Sequence, residues 1–215
     1  MEGYLLGYVI GFVYVFALIF GIGLLQKLLR FNLELSRKLI HAFLGFTWVI
    51  LYKFFAGNWQ IVVIPIAFII VNALSYKFKL FKMIEREDDN HCGTVYFAIA
   101  MTILMFCTLL WPETMPMSGI AVFCLTFGDG FAAIIGSKVK KKIHILPHKT
   151  LAGTIACFIF SVIGIFVCRI FIPFEINLWK YLLIGFVSAT AELVGKGLDN
   201  FSVTFGVYAV SILLL

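Results

Sequence analysis

Long apolar runs recur along almost the whole chain, and they constrain its fold more than any other feature of the sequence. Of the 215 residues, 62% are hydrophobic and only 13% are charged, whereas a soluble domain is about half apolar and about a quarter charged. In lipid, a helix is favoured because it satisfies its own backbone polar groups. We therefore expect an all-α, polytopic membrane bundle that forms a single integral-membrane domain over residues 1–215.

Polar connectors divide the apolar sequence into about eight predicted spans. The predicted spans are Tyr4–Leu25, Leu39–Phe55, Trp59–Ser75, Val95–Leu110, Met117–Ile135, Leu151–Phe171, Leu178–Val194 and Phe201–Leu215. The most polar connector, Tyr76–Asn90, has the pattern of an amphipathic segment at the membrane surface.

The basic residues predict how these spans are oriented. Consecutive spans place their connectors alternately on the two sides, which puts fourteen of the 17 Lys and Arg residues on one side. The positive-inside rule makes that side cytoplasmic and both termini external, as expected of a multi-pass protein of the cell membrane. This orientation accounts for the net charge of +6, so no nucleic-acid partner is expected.

The segment Gly128-Asp129-Gly130 at the end of the fifth predicted span is the first candidate site. A carboxylate at membrane depth is costly and is by default a functional hypothesis. The flanking glycines let backbone or ligand come close, and a basic loop with Gly136 follows. A carboxylate here suits Mg²⁺, which binds few protein oxygens and keeps substrate phosphates as its other ligands. The alternative is an Asp paired with a lysine to stabilise packing.

The next candidate residues lie where the sixth predicted span begins. His148, Lys149 and Thr150 directly precede the helix, and Gly153 and Thr154 follow one turn later. A helix N-terminus with a lysine and hydroxyl groups is suited to binding an anion such as phosphate. The spacing is not that of a Walker A loop. The neighbouring lysines at 140–142 are interpreted mainly as a positive-inside anchor.

Two further polar groups belong to the same predicted side. Arg37, Lys38 and His41 share one helical face at the start of the second span. These residues are suited to contact a phosphate, and the histidine is also suited to act as a general base. The alternative is that the two cations extend to the membrane surface and the histidine is hydrogen-bonded within the protein.

Near the chain's end, Glu192 and Asp199 add two carboxylates, which Asn200 can orient. Glu192 lies inside an apolar run, whereas Asp199 alone would pass as a turn residue. The predicted cytoplasmic side thus carries carboxylates for a metal, cations for phosphates and a histidine, all open to lipid. This combination favours phosphoryl or nucleotidyl transfer to a lipid. A transporter would instead need polar residues along a path through the membrane, and the outer turns are poor in them.

Five motifs carry a resemblance to a known family. They are Arg37-Lys38-Leu39-Ile40-His41, Gly93-Thr94-Val95-Tyr96-Phe97, Gly128-Asp129-Gly130-Phe131-Ala132-Ala133 with Gly136, Lys149-Thr150-Leu151-Ala152-Gly153-Thr154, and Glu192 with Gly197-Leu198-Asp199-Asn200. In this order they resemble the polyprenol kinase family, which includes dolichol kinase, phytol kinase and CTP-dependent diacylglycerol kinase. Dolichol kinases often carry Glu at the position of Ala152, so the chain looks more like the phytol kinase branch.

The resemblance implies an enzyme that transfers the γ-phosphate of CTP to the hydroxyl of a prenol-type or other lipid alcohol, with Mg²⁺. It implies Asp129 as metal ligand with Glu192 or Asp199, and a triphosphate site at Lys149, Thr150 and Thr154. Arg37, Lys38 and His41 would contact phosphate or activate the acceptor hydroxyl. The alternatives are a phosphatidate cytidylyltransferase, although that enzyme's paired aspartates after His-Gly-Gly are absent here, and a CTP-dependent diacylglycerol kinase. The choice of CTP over ATP, the lipid and a homo-oligomeric state are left open.

Overall fold

A computed structural model describes residues 2–78, 93–139, 143–147 and 149–215. Most of the predicted surface segment Tyr76–Asn90, the lysines at 140–142 and the predicted phosphate ligand His148 therefore lie outside the described residues.

Each of the eight predicted spans corresponds to a helical segment, and two of the segments are divided into separate helices. The helices are α1 (Glu2–Leu29), α2 (Leu33–Leu44), α3 (Phe46–Phe55), α4 (Val63–Phe78), α5 (Gly93–Leu110), α6 (Met115–Phe123), α7 (Gly130–Lys138), α8 (Leu151–Phe171), α9 (Leu178–Val194) and α10 (Asp199–Leu214). Among the described residues, six segments are long and apolar enough to cross a membrane. The shorter α9 and α10, of 17 and 16 residues, match the last two predicted spans. The predicted all-α polytopic membrane bundle is confirmed.

The second span begins earlier than the hydropathy indicates. The sequence places Arg37 and Lys38 in a polar connector, but α2 already begins at Leu33. The reason is a cap, since the Asn32 side chain accepts a hydrogen bond from the Leu35 backbone N–H at 2.8 Å. The two cations and His41 therefore lie on one helix, as their predicted shared helical face requires.

Two local elements beside the candidate site residues were not predicted. The first is a π-helix at Cys124–Asp129, which joins α6 to α7 and ends at the candidate Asp129. Such interruptions of an α-helix occur frequently at functional sites. The second is a short antiparallel hairpin of β1 (His144–Leu146) and β2 (Lys149–Thr150), in the connector interpreted as a loop.

The segment from α6 to α7 lies at the centre of the bundle. The most apolar part of Pro112–Lys138 is 67% buried, compared with 28% for that of Gly3–Leu29, which lies at the periphery. The candidate glycines are packing positions on this central segment. A Cβ on Gly128 would lie 2.4 Å from the Ser161 hydroxyl, and one on Gly136 would lie 2.8 Å from the Thr150 hydroxyl. These glycines therefore allow neighbouring elements to approach the segment that carries Asp129.

Candidate active site

Three carboxylates from three different elements meet at one end of the bundle. Asp129 ends the π-helix, Glu192 lies in the last turn of α9, and Asp199 begins α10. One oxygen of each lies within 4.8 Å of the others. Their side chains are only 13%, 7% and 22% exposed, respectively. We call these residues the carboxylate cluster.

The sequence also explains why Asp199 can enter this cluster. Gly197 turns the chain between α9 and α10 with φ at +89°, a conformation that glycine adopts readily. Gly195 makes room for the carboxylate, since a Cβ there would lie 2.0 Å from Asp199 Oδ1. The turn between α9 and α10 therefore also places the Asp199 carboxylate in the carboxylate cluster.

Two lysines from opposite sides neutralise most of this charge. Lys38 on α2 donates a hydrogen bond to Asp129 Oδ2 at 3.0 Å. Lys149 on β2 donates to Glu192 Oε1 and, at 3.1 Å, to Asp199 Oδ2. Burial alone would lower the pKa of Lys149, but the two carboxylates outweigh burial and raise it. Three carboxylates and two ammonium groups leave one excess negative charge.

His41, on α2, lies beside the carboxylate cluster and its two lysines. We call the carboxylate cluster, Lys38, Lys149 and His41 together the polar cluster. The Nε2 atom of His41 lies 3.5 Å from Asp129 Oδ2 and is buried without a hydrogen-bond partner among the described residues. The ring packs edge-on against Phe97 of α5, with centroids 5.4 Å apart. Since a buried polar atom without a partner is costly, His41 Nε2 is positioned to bond a group that enters the site.

The carboxylate cluster has the chemistry of a site for a hard divalent cation. Carboxylate oxygens are the ligands that Mg²⁺ prefers, and it takes only one or two of them beside substrate phosphates. Asp199 Oδ1 is buried and has no hydrogen-bond partner in the described part of the chain. The excess negative charge also fits a cation. The residues present therefore fit Mg²⁺.

The predicted phosphate ligands of the α8 N-terminus have structural partners. Thr150 caps α8, because its hydroxyl accepts a hydrogen bond from the Gly153 N–H at 3.1 Å. The Thr154 hydroxyl donates to the Thr150 carbonyl at 3.3 Å. Gly153 packs against Gly136, with 3.3 Å between the Gly153 Cα and the site of a Cβ on Gly136. These contacts at the start of α8 therefore hold Lys149 directly beside the carboxylate cluster.

The remaining predicted residues lie around the polar cluster. Arg37 forms an ion pair with Glu34 one turn earlier in α2. Asn200 donates a hydrogen bond from Nδ2 to the carbonyl of Gly93 at 3.2 Å, while its buried Oδ1 has no partner among the described residues. Asn200 thus ties the start of α10 to the start of α5 and leaves an acceptor near the carboxylates.

A cavity of about 300 Å³ connects the polar cluster to the interior of the bundle. Its polar end contains Arg37, Lys38, His41, Asp129, Asp199 and Asn200. Its other walls are mainly apolar side chains from α1, α2, α4 and α5. An amphiphilic molecule with a polar head and an apolar chain matches this distribution.

Sequence analysis missed Asn72, which also lines this cavity. Its Nδ2 donates to the Thr94 carbonyl at 3.1 Å and joins α4 to the start of α5. An amide inside an apolar span was a usable signal, because polar groups at membrane depth usually have partners. Phe97, the ring against His41, was noted only as part of the motif that starts at Gly93, because an apolar ring in an apolar span carries no such signal.

Comparison with known proteins identifies two relatives. The chain is 30% identical over 141 residues to phytol kinase 1, chloroplastic, of Arabidopsis thaliana, an alignment covering 60% of this chain and 45% of the relative. It is 28% identical over 140 residues to the probable phytol kinase 1, chloroplastic, of Glycine max, covering 59% and 45%. The chain thus spans about half the length of the curated relatives it matches. No family model and no solved structure matches it. The predicted resemblance to the polyprenol kinase family is confirmed.

Proposed function

We propose that this chain, which is similar to phytol kinases, is a Mg²⁺- and CTP-dependent kinase of prenol-type or other lipid alcohols. The observation that carries the proposal is the junction of the carboxylate cluster and two lysines with an apolar cavity. Phosphoryl transfer depends on positioning and charge stabilisation, and a lipid acceptor needs an apolar binding site. Both requirements are met at one point in the bundle.

Asp129 would hold Mg²⁺, assisted by Glu192 or Asp199. When bound there, the ion would neutralise the charge of the nucleotide phosphates. The protein's own cations would supply the rest of the positive field. Lys38 and Arg37 line the cavity and would contact the transferred phosphate, while Lys149 holds Glu192 and Asp199 in place.

His41 would receive the acceptor hydroxyl. Its Nε2 atom, which has no hydrogen-bond partner in the described part of the chain, lies 3.5 Å from Asp129 Oδ2, so a hydroxyl bonded to His41 would lie beside the carboxylate cluster. His41 would accept the hydroxyl proton and orient the oxygen towards phosphorus. The ring's contact with Phe97 keeps the imidazole in position.

Labelled nucleotide tests the reaction class. Purified protein in detergent with CTP or ATP labelled at the γ-phosphate is expected to yield labelled lipid phosphate from isoprenoid alcohols, with CTP as the better donor. Cytidylyl transfer to phosphatidate would release the label as pyrophosphate, and labelled phosphatidate would identify a diacylglycerol kinase. Release of the label only as pyrophosphate would contradict the kinase proposal, and labelled phosphatidate without labelled isoprenoid phosphate would exclude a prenol-type acceptor.

We also propose that the site faces the cytoplasm of a cell membrane, with the basic connectors. Ser137, near the site, and Glu113, in the turn before α6, are both exposed. In a variant without native cysteines, Ser137→Cys should react with an impermeant thiol reagent only after the cytoplasmic side is opened. Glu113→Cys should react in intact cells. Reaction of both from one side would rule out the proposed orientation.

A further inference from the structure

The apolar part of the cavity is formed by small and large side chains on three neighbouring helices. Val15 and Ile19 of α1, Phe68 of α4, and Ala98 and Met101 of α5 line it. All five are less than 10% exposed, so they face the interior of the bundle rather than lipid. These side chains lie beyond His41 and Asp129, on the side where an acceptor's chain would continue.

The length of the cavity follows from the helix that runs along it. Thr94 lines the polar end and Met101 the apolar end of the same cavity, and seven residues of α-helix rise about 10 Å. The cavity volume of about 300 Å³ is at the lower end of the range for small-molecule sites. It therefore has room for one chain segment near the hydroxyl, but not for a long isoprenoid chain or for two acyl chains.

We infer that this cavity binds the head-proximal segment of a single-chain lipid alcohol, and that Met101 limits the length of chain that enters. The inference rests on the proposed kinase function. The rest of a long chain lies in the bilayer. Two-chain acceptors such as diacylglycerol bind poorly, because only one chain fits beside His41 and Phe97.

A paired substitution on α5 tests this role. Met101→Phe fills the end of the cavity, whereas Ile103→Phe places the same side chain on a residue that is 41% exposed. One methylene in an apolar pocket changes specificity about tenfold or more. Met101→Phe should therefore lower kcat/KM for a long isoprenoid alcohol about tenfold and leave that for a single-isoprene alcohol unchanged. Ile103→Phe should match the wild type for both alcohols.

Cross-linking provides a second measurement that needs no turnover and no variant. A long isoprenoid alcohol with a photoreactive group about 10 Å along its chain from the hydroxyl, irradiated with wild-type protein without nucleotide, should label Phe68 or Met101. Excess unreactive alcohol should prevent this labelling. Ile70 is 57% exposed on α4 and serves with Ile103 as the lipid-facing reference.

The outcomes separate this inference from the kinase proposal. Equal effects of folded Met101→Phe on long and short alcohols, or labelling confined to Ile70 and Ile103, would overturn the inference and leave the kinase proposal intact. If wild-type protein phosphorylates no alcohol, the kinase proposal fails. Labelling of Phe68 or Met101 would then still support the chain-binding role.

Discussion

Asp129→Asn is expected to lower the rate of phosphoryl transfer by about a thousandfold or more, a loss typical of removing a central charge-stabilising group. The substitution keeps the shape of the side chain and removes its negative charge. The introduced amide could still accept a hydrogen bond from Lys38, but a neutral amide is a poor ligand for Mg²⁺. Activity should not recover when the Mg²⁺ concentration is raised.

The same substitution should change stability much less, because two effects oppose each other. Asp129 is the partner of Lys38 at 3.0 Å, and breaking a buried ion pair costs about 3–5 kcal/mol. Both side chains keep some exposure, and the introduced amide would keep an acceptor for Lys38, so the actual cost is smaller. The change also relieves repulsion between Asp129 and the carboxylates of Glu192 and Asp199, within 4.8 Å. We therefore expect a net loss below about 2 kcal/mol.

Thermal stability and turnover measured on the same preparation, across a Mg²⁺ titration, check this prediction. Glu175→Gln provides the control, since it removes an exposed carboxylate in the connector that follows α8. It should leave both quantities unchanged. A folded Asp129→Asn protein with wild-type turnover and Mg²⁺ dependence would remove Asp129 from the active site.

The spans and the composition of the polar cluster could be predicted because both depend on sequence position alone. Hydropathy defines the spans, and the alternation of connectors places Asp129, Lys149 and Asp199 at one end of the bundle. The structure brings these residues together as that argument requires. What membrane topology cannot provide is the pairing within the cluster, which depends on side-chain directions set by local backbone geometry.

Three local features explain why the finer geometry was not predictable. The π-helix at Cys124–Asp129 changes the direction of the Asp129 side chain relative to a regular helix. The Asn32 cap extends α2 through residues that hydropathy assigns to a connector. Thr150 has the residue type of both a phosphate ligand and an N-cap, and sequence does not distinguish the two roles.

The cavity could not be predicted for a different reason. Phe68, Ala98 and Met101 are ordinary apolar residues in apolar helices, and a residue that lines a cavity has the same sequence signature as one that fills a core. Only the packing of α1, α4 and α5 distinguishes them. The part of a lipid site that binds the chain is therefore less visible in sequence than the part that binds phosphate.

Lys149→Ala is expected to reduce both activity and stability, in contrast to Asp129→Asn. Lys149 is the partner of both Glu192 and Asp199, and its loss leaves these two carboxylates beside Asp129 without their ion-pair partner. The free energy of unfolding should fall by about 3 kcal/mol, near the lower limit for a broken buried ion pair. Transfer should fall by about a hundredfold or more. The matched control is Lys138→Ala, since Lys138 is exposed at the end of α7; both quantities should stay at wild-type values.

Mg²⁺ and a second substitution distinguish a role in the carboxylate cluster from a general loss of positive charge. If Lys149 neutralises the cluster, Mg²⁺ should raise the melting temperature of Lys149→Ala more than that of the wild type, because a bound ion replaces the missing charge. Adding Glu192→Gln to the Lys149→Ala variant should recover part of the lost stability but none of the activity. Such non-additive effects on stability are expected of residues in contact. Equal losses in Lys149→Ala and Lys138→Ala, without a differential response to Mg²⁺, would show that Lys149 contributes only bulk charge.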